Sequence, residues 1–549
     1  MVPTTNLPIP SVQLLAALLA MLLWFAMLGY RDLIEPDEGR YAEIPREMVA
    51  SGDWVTPRLN DFKYFEKPAL QYWMTAFSFQ LFGQSNATAR LWTATIGFLC
   101  GLFVWYLGRY LFGEIAGYYA FMLTMSSLLF VAMGHILTLD MSVSAFMVMG
   151  IGALAIAQSR RDRPRHVRKW MLLGWTGLGL AVLSKGLIGL VLPGGAVVIY
   201  SLWQRDWQLW RHLHLFKGLM VLLAITAPWF TIVSMRNREF AEFFFIHEHF
   251  QRYTTTVHHR TAPFYYYVPI LMLGISPWLI SGAKALLRPS FSWKPQNQGF
   301  NAERLLWVFV IFTLVFFSFG KSKLPAYILP VVPIIAVLAG KRLAKDGQQL
   351  VADGRFTLVL AGVLGIIAIF IPYVGKKAIP VELLAHYRWW LAVGAVVLSM
   401  GGWVLVKNTA KPFYGLTIAC LLFLLGYQLY LWGFQEIAPS YSSREMADAI
   451  KSMGLEKTPI FSVHTYPQSL PFYLGKTIRL VQAKGELKMG IRAEPEKWIS
   501  NKEAFAKAWR NQQQAIAIFR PKTFEIYKEA ELPMNIIYYG PRYIAVSRK

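Results

Sequence analysis

The chain has 549 residues, 55% of them hydrophobic and 16% charged, with a mean hydropathy of +0.38. That composition excludes a water-soluble protein of this size and points to an integral membrane protein. A formal net charge of +24 would suit a nucleic-acid binder, but the Lys and Arg gather in short connections between apolar segments, which argues against that class.

Thirteen apolar segments are read at 10–30, 86–108, 114–135, 139–158, 170–185, 187–203, 216–234, 264–287, 304–319, 324–340, 356–373, 388–406 and 413–433. Several approach the roughly 20 residues that cross a hydrocarbon core about 30 Å thick. The first lacks a basic leader and a small-residue cleavage site, so it is expected to remain as an anchor. Segments 170–185 and 187–203, which flank Ser184-Lys185-Gly186, also fit one re-entrant unit. Cys100 and Cys420 fall inside apolar segments and offer no metal cluster.

The connection 159–169 carries Arg160, Arg161, Arg163, Arg165, Arg168 and Lys169. Further basic connections hold Arg205, Arg211 and Lys217; Lys284, Arg288, Lys294 and Arg304; and Lys341, Arg342, Lys345 and Arg355. Counting segments puts all four on one side, which the positive-inside rule assigns to the cytoplasm. The N-terminus is then cytoplasmic and, with an odd number of crossings, the C-terminal part lies outside.

The first outside loop, 31–85, is long. Residues 38–50 carry helical apolar spacing at Tyr41, Ile44 and Met48, and 68–82 are apolar and aromatic. Both stretches predict helices lying along the membrane surface. The outside connection 236–263 starts with Phe240, Phe243, Phe244 and Phe245 and continues into a polar stretch, which predicts an interfacial helix and a loop able to gate the site. The connection 320–326 is short and basic, and Pro330 and Pro333 are expected to bend the helix after it. From residue 436 the hydrophobicity falls. Strand-like runs (PIFSVHTY, KTIRLVQ, AIAIFR, NIIYYG, YIAVSR) alternate with helix-like ones (SREMADAIKSMG, NKEAFAKAWRNQ), predicting a soluble α/β domain over 436–549 behind a membrane domain over 1–435. This domain has 18 Lys and Arg against 11 Asp and Glu, a balance suited to an anionic surface or glycolipid.

The residues with chemical potential share the outer side. Asp37-Glu38 follows the first segment: a carboxylate there can stabilise developing positive charge, orient an amine or act as a base, or it can simply cap a helix. Asp140 opens a segment and has the same two readings. Phe65-Glu66-Lys67-Pro68 sets an acid beside a base, as a phosphate contact or a surface ion pair. His247-Glu248-His249 with Gln251, Arg252 and Tyr253 offers metal ligands and, in Arg252, a fork that matches phosphate oxygens; imidazoles two residues apart do not share a helix face, so a metal there needs an irregular backbone or a partner such as Glu66. Lys321 and Lys323 beside Tyr327, and Lys185 between two apolar runs, are anion sites or snorkelling lysines. Carboxylates with scattered cations at one lipid interface fit a phosphorylated lipid substrate whose sugar points outward. A transporter would place such groups near the bilayer midplane and often in repeated halves, and no repeat is visible.

The stretch EPDEGRYAEIPREMVASGDWVTPRLNDFKYFEKPALQYW, followed in order by TLDMS, LSKG, HEHFQRY and KSKLPAYILP, resembles the GT-C glycosyltransferases and, within them, the bacterial lipid A aminoarabinose transferases. The resemblance covers most of 10–435. It implies a polytopic α-helical membrane protein of GT-C type, with about 13 transmembrane helices, interfacial helices and a C-terminal periplasmic α/β domain, in the inner membrane of a Gram-negative bacterium. It implies transfer of 4-amino-4-deoxy-L-arabinose from undecaprenyl phosphate to a lipid A phosphate, with inversion, by a monomer that uses no nucleotide cofactor and confers polymyxin resistance. On the matching positions, Asp37 would be the main catalytic carboxylate and Asp140 the second. Lys67, Arg252 and Tyr327 would grip the donor phosphate with Tyr41 and Tyr64 nearby, and Glu66 and His247 would hold a divalent metal ion. A related transferase acting on another polyprenyl-linked sugar, or on a protein or other hydroxyl acceptor, is the neighbouring reading; a lipid transporter is the remote one.

Overall fold

The computed structural model describes residues 9–244, 262–294, 299–374, 379–528 and 533–548. Each predicted apolar segment is largely helical. Ten are single helices: Ile9–Phe25, Asn86–Phe112, Asp140–Gln158, Pro164–Lys185, Ile188–Gln204, Leu215–Arg236, Ala302–Phe319, Leu350–Val374, Val381–Lys407 and Pro412–Gly433. The other three are broken. Residues 114–135 divide into Glu114–Met125 and Leu128–Gly134, bent by 63°. Residues 264–287 divide into Tyr267–Gly274 and Leu279–Leu287 on either side of Pro277, which has no N–H to give a continuous ladder. The segment 324–340 starts as a 3-10 turn, Pro325–Ile328, before the helix Val331–Leu343. Pro330 and Pro333 therefore do not bend that helix. They occupy its N-cap and first turn, where a missing N–H costs nothing.

Among the described residues, seven helices are long and apolar enough to cross a membrane, or eight if the bent pair counts as one span. Helix length alone thus accounts for fewer crossings than the thirteen expected. The two segments around Ser184-Lys185-Gly186 are separate helices, and Gly186 ends the first at φ 98, where a side chain would be strained.

Loop 31–85 folds into the helix Asp37–Ser51, a short hairpin pairing Arg58–Leu59 with Phe62–Lys63, and the helix Leu70–Phe82. The first of these helices differs from the surface-lying expectation. Every residue from Glu38 to Met48 is buried, polar ones included, because the C-terminal unit packs over the face that solvent would otherwise wet. Buried charge on this scale survives only when paired, and it is. Arg46 bonds Glu43 at 2.6 Å through both Nε and Nη2, and Glu47 accepts the backbone N–H groups of Asn60 and Asp61 at 2.5 and 2.8 Å.

Glu38 is the most heavily bonded of these groups. Its carboxylate takes two bonds from Arg31 (2.7 and 3.1 Å), two from Arg90 (2.7 and 2.9 Å), and the backbone N–H groups of Ile34 and Leu137, both at 3.0 Å. One side chain thereby ties the exit of the first apolar helix, the start of the second long one and the turn before Asp140.

The C-terminal unit carries a five-stranded sheet in the spatial order Arg479–Val481, Ile460–Val463, Ala515–Phe519, Ile544–Arg548, Asn535–Tyr539. The first three strands run parallel and the last two pair antiparallel. All five strand-like runs of the sequence are strands. Along the central one the side chains alternate: Ile516 and Ile518 face a core shared with Tyr41, Ile44, Met48, Tyr72 and Phe79 of the loop, while Ala515, Ala517 and Phe519 face a second core with Phe505 and Trp509. Polar contacts lock the same interface. Buried Glu35 accepts bonds from Ser443 Oγ (2.6 Å), Ser469 Oγ (2.8 Å) and Tyr543 Oη (2.9 Å). Asn60 exchanges two bonds with the backbone of Ile478, and Arg58 reaches Glu494 at 3.0 Å. A Cβ on Gly39 would sit 2.6 Å from the backbone N of Ser469, so only glycine permits this approach.

Replacing Glu38 by Gln leaves two buried guanidiniums short of a counter-charge, and breaking a buried pair from one side costs about 3–5 kcal/mol. Thermal unfolding of the purified variant in detergent should show a lowered Tm. Burial by itself raises the Glu38 carboxyl, but Arg31 and Arg90 outweigh it and hold the group far below its ordinary value of 4.5. Its contribution is therefore complete above about pH 4.5 and fades as the pH falls further, so the gap in Tm between parent and Glu38→Gln should narrow on acidification.

Candidate active site

Asp37 is the first residue of its helix, behind Pro36, and no side chain caps that helix. The capping reading of Asp37 is therefore set aside. The carboxylate is half-exposed and forms an ion pair with Arg40 one turn on. The Arg40 guanidinium also bonds the Tyr64 hydroxyl (3.1 Å) and the Glu486 carboxylate of the C-terminal unit, and lies 4.9 Å from the centre of the Tyr41 ring. Tyr41 stacks on Tyr72 at 6.1 Å. Both rings are buried, and among the described residues the Tyr72 hydroxyl has no hydrogen-bond partner.

Electrostatics follow from this packing. Burial pushes the Tyr41 and Tyr64 phenols well up, so both stay protonated, and the Tyr64 hydroxyl accepts from Arg40. Burial also raises Glu486; Arg40 opposes that, while Glu66 and Asp37 add to it. The result is one guanidinium amid three carboxylates, with the half-exposed Asp37 as the outward member.

Asp140 begins the helix Asp140–Gln158 without capping it, so the capping reading is set aside there too. Its carboxylate pairs with Lys185, the last residue of the helix Pro164–Lys185, and the Lys185 ammonium lies 4.8 Å from the centre of the Tyr327 ring. The charges of Asp37, Glu66 and Asp140 all bear on the buried Tyr41 phenol and add to the rise that burial causes. Lys67 is buried and donates to the Glu66 carbonyl at 2.7 Å.

Of the residues singled out in the sequence, Asp37, Tyr41, Tyr64, Glu66, Lys67, Asp140 and Tyr327 are brought together. Arg252 and His247 lie outside the described residues, as does the polar part of the loop 245–261 proposed as a gate. The expected interfacial helix of that connection is, among the described residues, one short helix, Glu239–Ala241, fastened by an ion pair from Glu239 to Lys63 at 2.6 Å. A divalent ion was expected at Glu66 and His247. Among the described residues no three His, Cys, Asp or Glu side chains form a metal-binding group, and Glu66 is the single described member of the pair, so no step is derived through a metal.

Sequence reasoning passed over Arg40, although its i,i+3 spacing from Asp37 was a readable signal. It named Lys185 without giving it a partner. Glu486 had no local signal: 446 residues separate it from Arg40, and only the docking of the C-terminal unit brings it in.

A membrane helical bundle that presents carboxylates, buried tyrosines and lysines at one end, covered by an α/β unit, defines an integral-membrane glycosyltransferase of the GT-C type. Residues 11–244 match the family model for dolichyl-phosphate-mannose-protein mannosyltransferase, and residues 446–548 match that for the aminoarabinose transferase C-terminal domain. The chain is 32% identical over 406 residues to the undecaprenyl phosphate-alpha-4-amino-4-deoxy-L-arabinose arabinosyl transferase of Erwinia tasmaniensis, covering 71% of this chain and 72% of that one. Its structure superposes on the crystal structure of ArnT from Cupriavidus metallidurans bound to undecaprenyl phosphate with a TM-score of 0.91, at 33% identity and 97% coverage of each chain. The apo form of the same protein gives 0.90. The chain belongs to the family of undecaprenyl phosphate-aminoarabinose arabinosyl transferases.

The Asp140–Lys185 pair is expected to act as a unit. Asp140→Asn and Lys185→Met should each lower glycosyl transfer, and the double variant should lose less than the two losses combined. A double-mutant cycle on transfer rates in detergent measures this; fully additive losses would show the two side chains to be independent.

Proposed function

We propose that the protein moves 4-amino-4-deoxy-L-arabinose from undecaprenyl phosphate to a phosphate of lipid A. The reaction takes place at the periplasmic face of the inner membrane of a Gram-negative bacterium, with the N-terminus in the cytoplasm. The observation that carries this reading is the half-exposed Asp37 carboxylate, paired with Arg40 beside the buried Tyr41 and Tyr64, in a chain with the fold of a relative whose crystal structure holds undecaprenyl phosphate. The side with the four basic connections is the cytoplasmic one. The added amine offsets negative charge on lipid A, which supplies resistance to polymyxin and other cationic peptides.

The chemistry assigns roles. A lipid A phosphate is ionised at neutral pH and is already a nucleophile, so it needs no general base. Asp37 serves instead to position the donor sugar and to stabilise the positive charge that develops at its anomeric carbon as the bond to the donor phosphate breaks. Attack from the opposite face inverts that centre, and undecaprenyl phosphate leaves as an anion. Lys67, together with Arg252, holds that anion, and Tyr327 lies beside it. Lys185 keeps Asp140 oriented toward the sugar. The proposed divalent ion between Glu66 and His247 is tested apart from the reaction: elemental analysis of the purified protein should find a bound metal that Glu66→Ala loses.

Transfer from purified undecaprenyl-phosphate aminoarabinose to lipid A in detergent, read by mass spectrometry, tests the proposal. The parent should add one aminoarabinose mass to lipid A. Asp37→Asn should reduce the rate by about a hundredfold to a thousandfold with Tm unchanged, because this side chain is half-exposed. A folded parent that adds no sugar to lipid A but glycosylates a hydroxyl acceptor would move the assignment to a hydroxyl-directed relative.

A further inference from the structure

The helix Val331–Leu343 starts just after Tyr327 in the active site and ends just before Asp346, so Asp346 lies about 18 Å further along at 1.5 Å per residue. At that remote end is a pocket of about 650 Å³ whose lining includes Ile280, Lys284, Asp346, Arg355 and Phe356. It opens on the side that carries the basic connections.

Two features of this pocket set it apart from a chance groove. The first is its charge. Among the described residues, neither Lys284 nor Arg355 takes part in a direct ion pair or a side-chain hydrogen bond, so two cations against one lining carboxylate, Asp346, leave the space net positive. The two acidic groups nearby take their hydrogen bonds from other residues, not from Lys284 or Arg355. Asp346 accepts the Gln348 N–H at 3.2 Å and the Gln349 amide at 2.9 Å. Asp353 is fully buried and receives the backbone N–H groups of Ile280 and Ser281 at 3.0 and 3.1 Å.

The second feature is what continues from the rim. The helix Leu350–Val374 leaves the pocket at Val359, which also lines it, and carries an exposed apolar stripe through Val363, Ile366, Phe370 and Tyr373. The spacing of 4, 3, 4 and 3 residues keeps these on one face. From Val359 to Tyr373 the stripe runs about 21 Å, enough to accompany an acyl chain through one leaflet of a core about 30 Å thick. Cations at the polar end of an apolar stripe match a phosphate headgroup with its tails alongside.

We propose that this pocket is a binding site for an anionic phospholipid, with the headgroup phosphate between Lys284 and Arg355 and an acyl chain along the stripe from Val359 to Tyr373. The occupant is a structural lipid of the leaflet on the basic side, distinct from donor and acceptor, and it steadies the junction of the helices Leu279–Leu287 and Leu350–Val374.

Native mass spectrometry of the full chain, delipidated in mild detergent and offered phosphatidylglycerol or phosphatidylcholine of equal chain length, tests this. The parent should retain phosphatidylglycerol in preference. The Lys284→Ala/Arg355→Ala variant should bind it about thirtyfold more weakly, from the attraction each surface cation adds for an anionic lipid. The Arg165→Ala/Lys169→Ala variant, which removes the same charge from the exposed start of the helix Pro164–Lys185, should bind as the parent does. Arg355→Glu, a change at an exposed position, should lose the lipid too and covers the case in which the double variant fails to fold. Equal retention of the two lipids by the parent, equal loss from both double variants, or displacement of the lipid by inorganic phosphate alone would overturn the proposal.

Discussion

A buried carboxylate held by two guanidiniums fixes the geometry on which this protein depends. Glu38 is adjacent to Asp37 and bonds the backbone N–H of Leu137, three residues before Asp140. The two acidic groups of the site, about a hundred residues apart in the chain, are thus referred to a single side chain. Arg31 adds a bond to the His135 carbonyl at 2.9 Å, and Arg90 adds bonds to the carbonyls of Arg31 (2.5 Å) and Asp32 (2.9 Å). Two buried guanidiniums with this many acceptors leave the loop one arrangement that satisfies every group, since leaving any of them unpaired is expensive. Asp37 can then stay half-exposed and chemically available, because its neighbour supplies the anchoring.

The C-terminal unit completes the site as well as covering it. Its parallel strands share a core with the first loop, its Ser443, Ser469 and Tyr543 surround Glu35, and its Glu486 balances Arg40. Arg40 in turn sets the position of Asp37. A reaction at a membrane surface with a departing donor phosphate needs water excluded, and the candidate site has the C-terminal unit on one side, through Glu486, and the end of the helical bundle on the other. The buried tyrosines stay protonated in a setting of low polarity, where a hydrogen bond acts more strongly than in water.

Much of the framework was legible in the sequence because it obeys local rules. Apolar length marked the helices, alternation marked all five strands of the terminal sheet, and span parity placed Asp37, Glu66, Asp140 and Tyr327 on one face. What the sequence concealed was nonlocal. The helix Asp37–Ser51 reads as amphipathic and interfacial, yet it is buried on all sides because a unit some 400 residues later packs on it. Capping seemed a good use for Asp37 and Asp140, but both stand inside the first turn, and their partners are Arg40 and Lys185. Prolines 330 and 333 read as kinks but open a helix. Breaks within 114–135 and 264–287 leave no hydropathy signal, since the residues on both sides stay apolar.

The central claim is that the site acts on an acceptor that is already a nucleophile, with Asp37 serving the sugar rather than removing a proton. The most direct measurement compares transfer to intact lipid A and to lipid A whose phosphates have been removed enzymatically, using the same donor and the same preparation. Intact lipid A should gain one sugar mass and the dephosphorylated lipid none. Comparable transfer to the dephosphorylated lipid would mean that a hydroxyl is the nucleophile and Asp37 its base, and would contradict the account.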